Sequence, residues 1–173
     1  MRSRRLPSVP KQGLRPTPAR VKESLFAILG DRIGNANVLD LYAGTGALGF
    51  EALSRGARHA TFVESNAPAA MRLKLTAREL GVADRTRVLA LPAERASAKL
   101  EAPFDLVFAD PPYALGFPLR ALEALRERRL LAPQALVIFE HSARSQPKTP
   151  GFSLERQERY GEVAVAFLRE DRA

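Results

Sequence analysis

The chain has 173 residues, of which 46% are hydrophobic, and its formal net charge is +8 at pH 7. This length fits one domain with a buried core, and no apolar run approaches the roughly 20 residues of a membrane-spanning helix. The absence of cysteine excludes disulfides, cysteine-bound zinc and thiolate catalysis. Because His59 and His141 are far apart in the sequence, we expect no metal site and no histidine-based triad. No apolar stretch follows the basic start, so we expect no secretory signal and a cytoplasmic protein.

The excess positive charge is concentrated at the N-terminus. Residues 1–22 contain no acidic side chain and seven basic ones, which are Arg2, Arg4, Arg5, Lys11, Arg15, Arg20 and Lys22. Prolines and a glycine within residues 1–16 indicate little regular structure, so this segment is predicted to be a basic arm before a single domain of residues 17–173. Such an arm is typical of a protein that binds a polyanion. A solvated tail without a partner is the alternative.

Downstream of the arm, the pattern predicts alternating helices and strands. A first helix is expected from Thr17-Pro18 to about Leu29. Strands are then predicted at residues 38–42, 60–64, 86–91, 104–109 and 135–140, helices at 47–55, 67–80, from about 93, and at 117–131, and a closing hairpin at 154–160 and 162–168. This alternation predicts an α/β domain whose mostly parallel sheet is covered by helices on both faces.

A glycine-rich turn follows the first predicted strand. Gly44-Thr45-Gly46-Ala47-Leu48-Gly49 matches G-x-G-x-x-G, and Glu64 ends the next strand. Glycines at this position let a ligand approach the backbone, and an acid about 20 residues further on can accept hydrogen bonds from ribose hydroxyls. The pattern therefore indicates a ligand that contains adenosine.

The residues around the turn favour S-adenosylmethionine over a dinucleotide. Asp40 lies in the strand four residues before Gly44, where its carboxylate would repel a pyrophosphate and attract an ammonium or sulfonium cation. Tyr42-Ala43 leads into the turn, in place of a third glycine. The alternative is that Asp40 caps a turn and that Glu64 is a surface acid.

The fourth strand ends in Asp110-Pro111-Pro112-Tyr113. Because ligands of open parallel sheets bind beyond the carboxyl ends of the strands, this tetrapeptide should share a crevice with the glycine turn. The prolines fix the backbone and leave carbonyls without local N–H donors, Asp110 adds an acceptor, and Tyr113 offers a face on which a base can stack. Acceptors that grip an exocyclic amino group can aim its lone pair at a methyl donor, and a carboxylate stabilises the charge that develops. A rigid turn without chemistry is the alternative.

These motifs together resemble the bacterial methyltransferases that modify guanine N2 in 16S ribosomal RNA. The resemblance spans the whole chain and is carried by residues 15–17 and 20–26, 38–49 and 51–57, 62–64, and 110–113. It departs from the family's pattern at Ala27, Tyr42 and Thr45, and at Leu91-Pro92-Ala93, where a polar residue usually precedes the alanine.

The resemblance implies a Rossmann-like class I methyltransferase fold with a seven-stranded, mostly parallel sheet and an antiparallel C-terminal hairpin. It implies S-adenosyl-L-methionine as cofactor, bound by Asp40, Tyr42, Ala43, Gly44, Gly46, Glu64, Ser65 and Ala93. Asp110, Pro111, Pro112 and Tyr113 are the expected catalytic residues, and Arg2, Arg4, Arg5, Lys11, Arg15 and Arg20 the expected RNA-binding residues. We expect a monomer that acts on 16S ribosomal RNA, within a small-subunit particle.

Two other functions fit parts of the same pattern. One is amino methylation elsewhere, at N6 of adenine in DNA or RNA or at a protein glutamine amide, although glutamine methylation is usually associated with Asn-Pro-Pro-Tyr and this chain has Asp110. The other is a non-catalytic RNA-binding assembly factor that retains the shape of a methyltransferase. The intact Gly44, Gly46, Glu64 and Asp110 argue against the latter.

Overall fold

The computed structural model describes residues 19–172, except for the side chain of residue 113. The α-helices are α1 Ala19–Leu29, α2 Ala47–Ser54, α3 Ala67–Glu79 and α4 Leu119–Glu127. The strands are β1 Asn37–Asp40, β2 His59–Val63, β3 Thr86–Leu89, β4 Phe104–Ala109, β5 Leu131–Ser142, β6 Phe152–Tyr160 and β7 Val163–Glu170. Short 3₁₀ helices cover Gly30–Arg32, Ala83–Arg85, Ala93–Lys99 and Tyr113–Leu115. The predicted arm and the Thr17-Pro18 helix start lie outside the described residues.

All seven strands form one sheet in the order β3-β2-β1-β4-β5-β7-β6. Strands β1 to β5 are parallel, and β7 pairs antiparallel with both β5 and β6. The chain leaves the central strand β1 toward β2 and β3, and then crosses to β4 on the other side of β1. The order of the strands therefore reverses at β1, and open α/β sheets bind ligands at such a point, beyond the carboxyl ends of the strands.

The sheet separates two hydrophobic cores because successive side chains of a strand point to opposite faces. Val38 of β1 packs in the core under α1, α2 and α3, whereas its neighbour Leu39 packs in the core under α4 and the Ala93–Lys99 turn. Both side chains are fully buried. Covering both faces explains why β1 is buried at every position and β4 at all but one, without the alternation of a half-exposed strand.

The predicted fold class is confirmed, including the antiparallel closing hairpin, but the predicted helix at 117–131 is wrong at its C-terminal end. Helix α4 ends at Glu127, and Arg129 has a positive φ of 55°, which stops the helix. The apolar Leu131, which fits the helical pattern, instead starts β5 and pairs with Phe104. Pro133 lacks the N–H that a ladder needs, and the register of β4 and β5 shifts beside it.

Residues 19–172 contain neither a membrane-spanning helix nor a cluster of metal-ligating side chains. Their helices lack the combination of length and apolar character that crossing a membrane requires. Nowhere in this range do three metal-ligating acidic, histidine or cysteine side chains come together.

Helix α2 lies so close to β2 that residue 49, in the first turn of the helix, must be glycine. A Cβ on Gly49 would overlap the ring of Phe62, which is itself fully buried against Phe50. The interior of a protein is close-packed, so the ring has little room to move away. The third glycine of the turn motif is therefore explained by the packing of a helix against a strand.

We predict that Gly49→Ala destabilises the protein by about 1–3 kcal/mol, because overpacking outweighs the gain in helix propensity. The free energy of unfolding, measured by urea titration, checks this. Gly34→Ala is the matched control, since a Cβ there meets only an ordinary contact at 3.8 Å from the Asp31 carbonyl oxygen. An equal or higher stability of Gly49→Ala would contradict the packing.

Candidate active site

The parallel register places the carboxyl ends of β1, β2 and β4 at one edge of the sheet. Asp40, the last residue of β1, pairs with Phe62 of β2 and with Phe108 of β4. The backbone continues the alignment beyond β1, because the Leu41 amide donates to the Phe108 carbonyl at 3.0 Å and the Ala43 amide donates to the Val63 carbonyl at 3.0 Å. The glycine turn thus starts from a backbone fixed on both sides, next to the segment that follows β4.

Glu64 is a buried carboxylate that holds the glycine turn, and the interpretation of it as a surface acid is wrong. Its side chain is 7% exposed. Its Oε1 accepts from the Gly44 amide at 3.0 Å, and its Oε2 accepts from the Asn66 amide at 2.8 Å. Since each carboxylate oxygen has two lone pairs, acceptor capacity remains for the hydroxyls of a ligand.

Asp40 is more deeply buried, with 2% exposure, and caps helix α2 from the neighbouring strand. Its Oδ2 accepts from the Gly49 amide at 3.2 Å, which satisfies one of the free N–H groups at the start of the helix. Burial raises the pKa of Asp40, the Gly49 hydrogen bond lowers it and the nearby Glu64 carboxylate raises it, which together bring the pKa to about 7. The structure therefore shows Asp40 capping a helix, where the alternative interpretation expected it to cap a turn, and its role at the cofactor stays a prediction. A cation placed beside Asp40 would favour its charged form and lower its pKa.

The glycines of the turn motif are required for two different reasons, backbone conformation and close packing. Gly44 and Gly46 both have a positive φ, of 54° and 79°, which favours glycine. A Cβ on Gly46 would lie 2.6 Å from side-chain carbons of Phe50 and Leu73, so this position, like Gly49, is explained by internal packing. The close approach of a ligand is therefore expected at the half-exposed Gly44.

The remaining predicted cofactor residues surround this turn. Tyr42 is half-buried against the core beneath α4, and burial together with the Glu94 carboxylate raises the pKa of its phenol. The hydroxyl therefore stays protonated and can donate a hydrogen bond. Ala43 is buried. Ser65 is exposed beside Glu64, and Ala93 is buried at the start of its 3₁₀ turn.

The Asp-Pro-Pro-Tyr segment follows β4 at the same edge. Asp110 is half-buried, Pro111 is buried and Pro112 is exposed. The Pro112 carbonyl accepts from the Leu115 amide at 2.9 Å, so the expectation that both proline carbonyls lack local donors is wrong for Pro112. A short 3₁₀ turn from Tyr113 to Leu115 creates this donor. The stacking role of the Tyr113 side chain stays a prediction.

Of the predicted RNA-binding residues, the structure describes only Arg20, which is exposed in the first turn of α1. Arg2, Arg4, Arg5, Lys11 and Arg15 lie outside the described residues.

Sequence reasoning missed two buried polar residues, Glu140 and His141, which are 5% exposed at the carboxyl end of β5. They come directly after the apolar run that ends at Phe139. The register that pairs Ala109 with Phe139 brings them alongside the Asp110 segment. The signal in the sequence is a polar pair that ends a buried strand, and it gains meaning only once β5 is known to lie beside β4.

Comparisons with known proteins agree with this architecture. The family model described as "Conserved hypothetical protein 95" matches residues 1–169. Ribosomal RNA small subunit methyltransferase D of Escherichia coli is 38% identical over 172 residues, which cover 98% of this chain and 86% of the relative. A solved Escherichia coli structure described as the methyltransferase yhhF superposes with a TM-score of 0.85 at 37% identity, covering 97% of this chain and 92% of that one.

A more distant structure extends the likeness at the level of the fold. An RNA methyltransferase from Salinibacter ruber, in complex with S-adenosyl-L-homocysteine, has a TM-score of 0.69 at 17% identity and covers 88% of this chain and 92% of its own. The family match over nearly the whole chain, and the identity to the Escherichia coli enzyme, show that this protein belongs to that family of bacterial small-subunit ribosomal RNA methyltransferases.

Proposed function

We propose that this protein transfers a methyl group from S-adenosyl-L-methionine to the exocyclic N2 of a guanine in 16S ribosomal RNA. Its family makes it a ribosomal RNA methyltransferase with S-adenosyl-L-methionine as cofactor, and the proposal concerns the atom that is modified. The observation that carries it is the position of Asp110, at the end of β4 and next to β1, which ends in Asp40 and leads into the glycine turn.

The residues at the turn fit the cofactor chemically. The buried Asp40 carboxyl would be stabilised by a cation, and the cofactor has both an ammonium and a sulfonium group. Glu64 keeps lone pairs for ribose hydroxyls, and the Gly44 backbone is partly open. When bound, S-adenosyl-L-methionine would supply an electrophilic methyl group, whose bond to the sulfonium breaks as the new bond forms, and it would leave as the neutral thioether S-adenosyl-L-homocysteine.

In the proposed mechanism, Asp110 and the backbone carbonyls of its loop accept the two N–H groups of the guanine amino group. This fixes the nitrogen so that its lone pair, otherwise delocalised into the ring, points toward β1 and the glycine turn. Positioning of this kind accounts for a large part of the acceleration in group transfer. The nitrogen becomes positively charged as it attacks, and the Asp110 carboxylate stabilises that charge. Loss of a proton from the ammonium-like product then needs no strong base.

A polynucleotide substrate must expose the target base to the loop, and its negatively charged phosphates need basic partners. A stacked base cannot reach the loop, so the target guanine must be unpaired or flipped out, with Tyr113 as its stacking partner. The basic arm, with Arg2, Arg4 and Arg5, and the exposed Arg20 would contact phosphates. We propose that a monomer acts on a small-subunit particle in the cytoplasm.

We predict that Asp110→Ala lowers kcat by at least about 10²-fold, because the developing charge loses its carboxylate. Binding of S-adenosyl-L-methionine, followed by calorimetry, should stay within about twofold, since the cofactor residues are intact. Asp84→Ala is the matched control, an exposed acid in the 3₁₀ turn before β3, away from this edge. Turnover of Asp110→Ala at the level of Asp84→Ala would refute the assigned role.

A second prediction concerns the pH dependence of cofactor affinity. Because the pKa of Asp40 is raised to about 7 in the free protein, the carboxyl is protonated below that pH and cannot attract a cation. A bound cation lowers this pKa, so binding releases a proton and affinity should rise between about pH 5.5 and 7.5, by up to about tenfold per unit below 7.

The measurement is the dissociation constant across this pH range, for the wild type and for Asp40→Asn. The asparagine can still accept from the Gly49 amide but carries no charge. We expect weaker binding without the rise. An identical pH profile in the two proteins would show that Asp40 does not face the cation.

A further inference from the structure

A cavity of about 120 Å³ lies between the Asp-Pro-Pro-Tyr segment and the end of β5. Its walls include Pro111, Pro112, Gly116, Phe139, His141 and Ser145. Pockets for drug-sized ligands measure about 300–1,000 Å³, so this one has room for a single ring system, and a whole cofactor would not fit. None of the residues predicted from the sequence to bind the cofactor lines it.

The topology gives this cavity a defined relation to the cofactor turn. Strand β4 lies between β1 and β5, so the segment that follows β4 has the glycine turn on one side and the cavity on the other. The pairing of Ala109 with Phe139 carries Asp110 and Pro111 alongside the residues that end β5. If the amino group of a nucleobase lies over Asp110 and the methyl donor lies on the β1 side, the ring of the base extends away from β1 and into the cavity.

The chemistry of the walls suits a flat heteroaromatic ring. Pro111, Pro112 and Phe139 supply apolar surface. The His141 ring stacks on Phe139 with centroids 5.2 Å apart and an interplanar angle of 27°. Unstacked bases are commonly held between apolar or aromatic side chains and are read along their polar edges.

The polar edge of the cavity is organised by Ser145 in the loop after β5. Its hydroxyl donates to the Ser142 carbonyl at 2.9 Å and lies 3.4 Å from Nδ1 of His141. His141 Nδ1 also lies 2.8 Å from the Ser142 carbonyl. The same loop carries the exposed Lys148 and the exposed Arg144, which pairs with Glu162 at 2.8 Å. Basic side chains of this kind suit a phosphate backbone.

We propose that this cavity receives the ring of the methyl-accepting nucleobase, so that His141 and Ser145 determine which base the enzyme accepts. The proposal rests on the proposed function and deepens it, since it assigns the base a binding site that extends beyond Asp110 to the end of β5. Ser145 is exposed at the rim, so a larger side chain there can fill the cavity without disturbing a core.

The test plugs the cavity in steps of increasing volume with Ser145→Ala, Ser145→Leu and Ser145→Phe. Gln146→Phe is the matched control, because it adds the same ring to the neighbouring exposed residue, which does not line the cavity. Methyl transfer to small ribosomal subunits and to 16S RNA is measured, together with the dissociation constant of S-adenosyl-L-methionine and the melting temperature. Ser145→Ala separates loss of the hydroxyl from filling of the cavity.

We expect kcat/KM for the RNA to fall progressively with volume, by at least about tenfold for Ser145→Phe, as the loss of base stacking would give. Gln146→Phe should retain wild-type transfer, and cofactor affinity should be unchanged throughout. Ser145→Leu, the smaller plug, decides the matter if Ser145→Phe does not fold. Equal activities of the Ser145→Leu or Ser145→Phe plug and of Gln146→Phe would overturn the proposal.

The same assay separates this inference from the proposed function. If the wild type methylates adenine and Ser145→Phe still blocks transfer, the guanine assignment fails and the cavity remains a nucleobase site. If the wild type forms N2-methylguanine and the plugs have no effect, the cavity proposal alone fails. If the wild type labels no polynucleotide, both are overturned.

Discussion

Two buried carboxylates at the carboxyl ends of neighbouring strands fix the geometry on which the site depends. Glu64 accepts from the amides of Gly44 and Asn66, and Asp40 accepts from the amide of Gly49. Hydrogen bonds to charged acceptors are stronger than those between neutral groups, and their loss would leave buried donors unsatisfied. The glycine turn, the start of α2 and the start of α3 are thus all held by two side chains from β1 and from the residue after β2.

Placing two carboxylates close together in a buried site is electrostatically unfavourable, and a cationic ligand would reduce that cost. Burial and the Glu64 carboxylate raise the pKa of Asp40, against the Gly49 hydrogen bond, to about 7, so Asp40 is only partly ionised near neutral pH in the free protein. A cation next to Asp40 would relieve that cost, whereas a pyrophosphate would increase it. The same turn motif in a dinucleotide-binding protein serves an anion, and a buried acid such as Asp40 would disfavour an anion at this position. In the proposed site, the position of Asp40 at the end of β1 would thus favour a cationic cofactor.

The sequence predicts the parts of this site that are local and misses those that arise between strands. The glycine turn, the acid at Glu64 and the Asp110 segment follow from short motifs whose spacing reflects one strand-turn-helix unit. The contact of Gly49 with Phe62 depends instead on how closely α2 packs on β2. Likewise, the cavity beside His141 exists because β5 lies next to β4, and no local pattern encodes that neighbour.

The boundary between α4 and β5 shows a second reason why sequence patterns fail. Leu130 and Leu131 continue the apolar spacing of the helix, so periodicity alone assigns them to it. In the structure both are buried, but Leu131 starts a strand and Leu130 directly precedes it, because the positive φ of Arg129 prevents the helix from continuing. A longer helix and an earlier strand would both bury these leucines, and only the long-range pairing of Leu131 with Phe104 shows that the strand is correct.

In the proposed reaction, the amino group held at Asp110 is N2 of a guanine in small-subunit ribosomal RNA. The direct measurement is transfer of a labelled methyl group to undermodified small subunits and to naked 16S RNA, followed by digestion to nucleosides and identification of the product. The account predicts label in N2-methylguanine. Label in N6-methyladenine, or no label in ribosomal RNA despite tight binding of S-adenosyl-L-methionine, would contradict it.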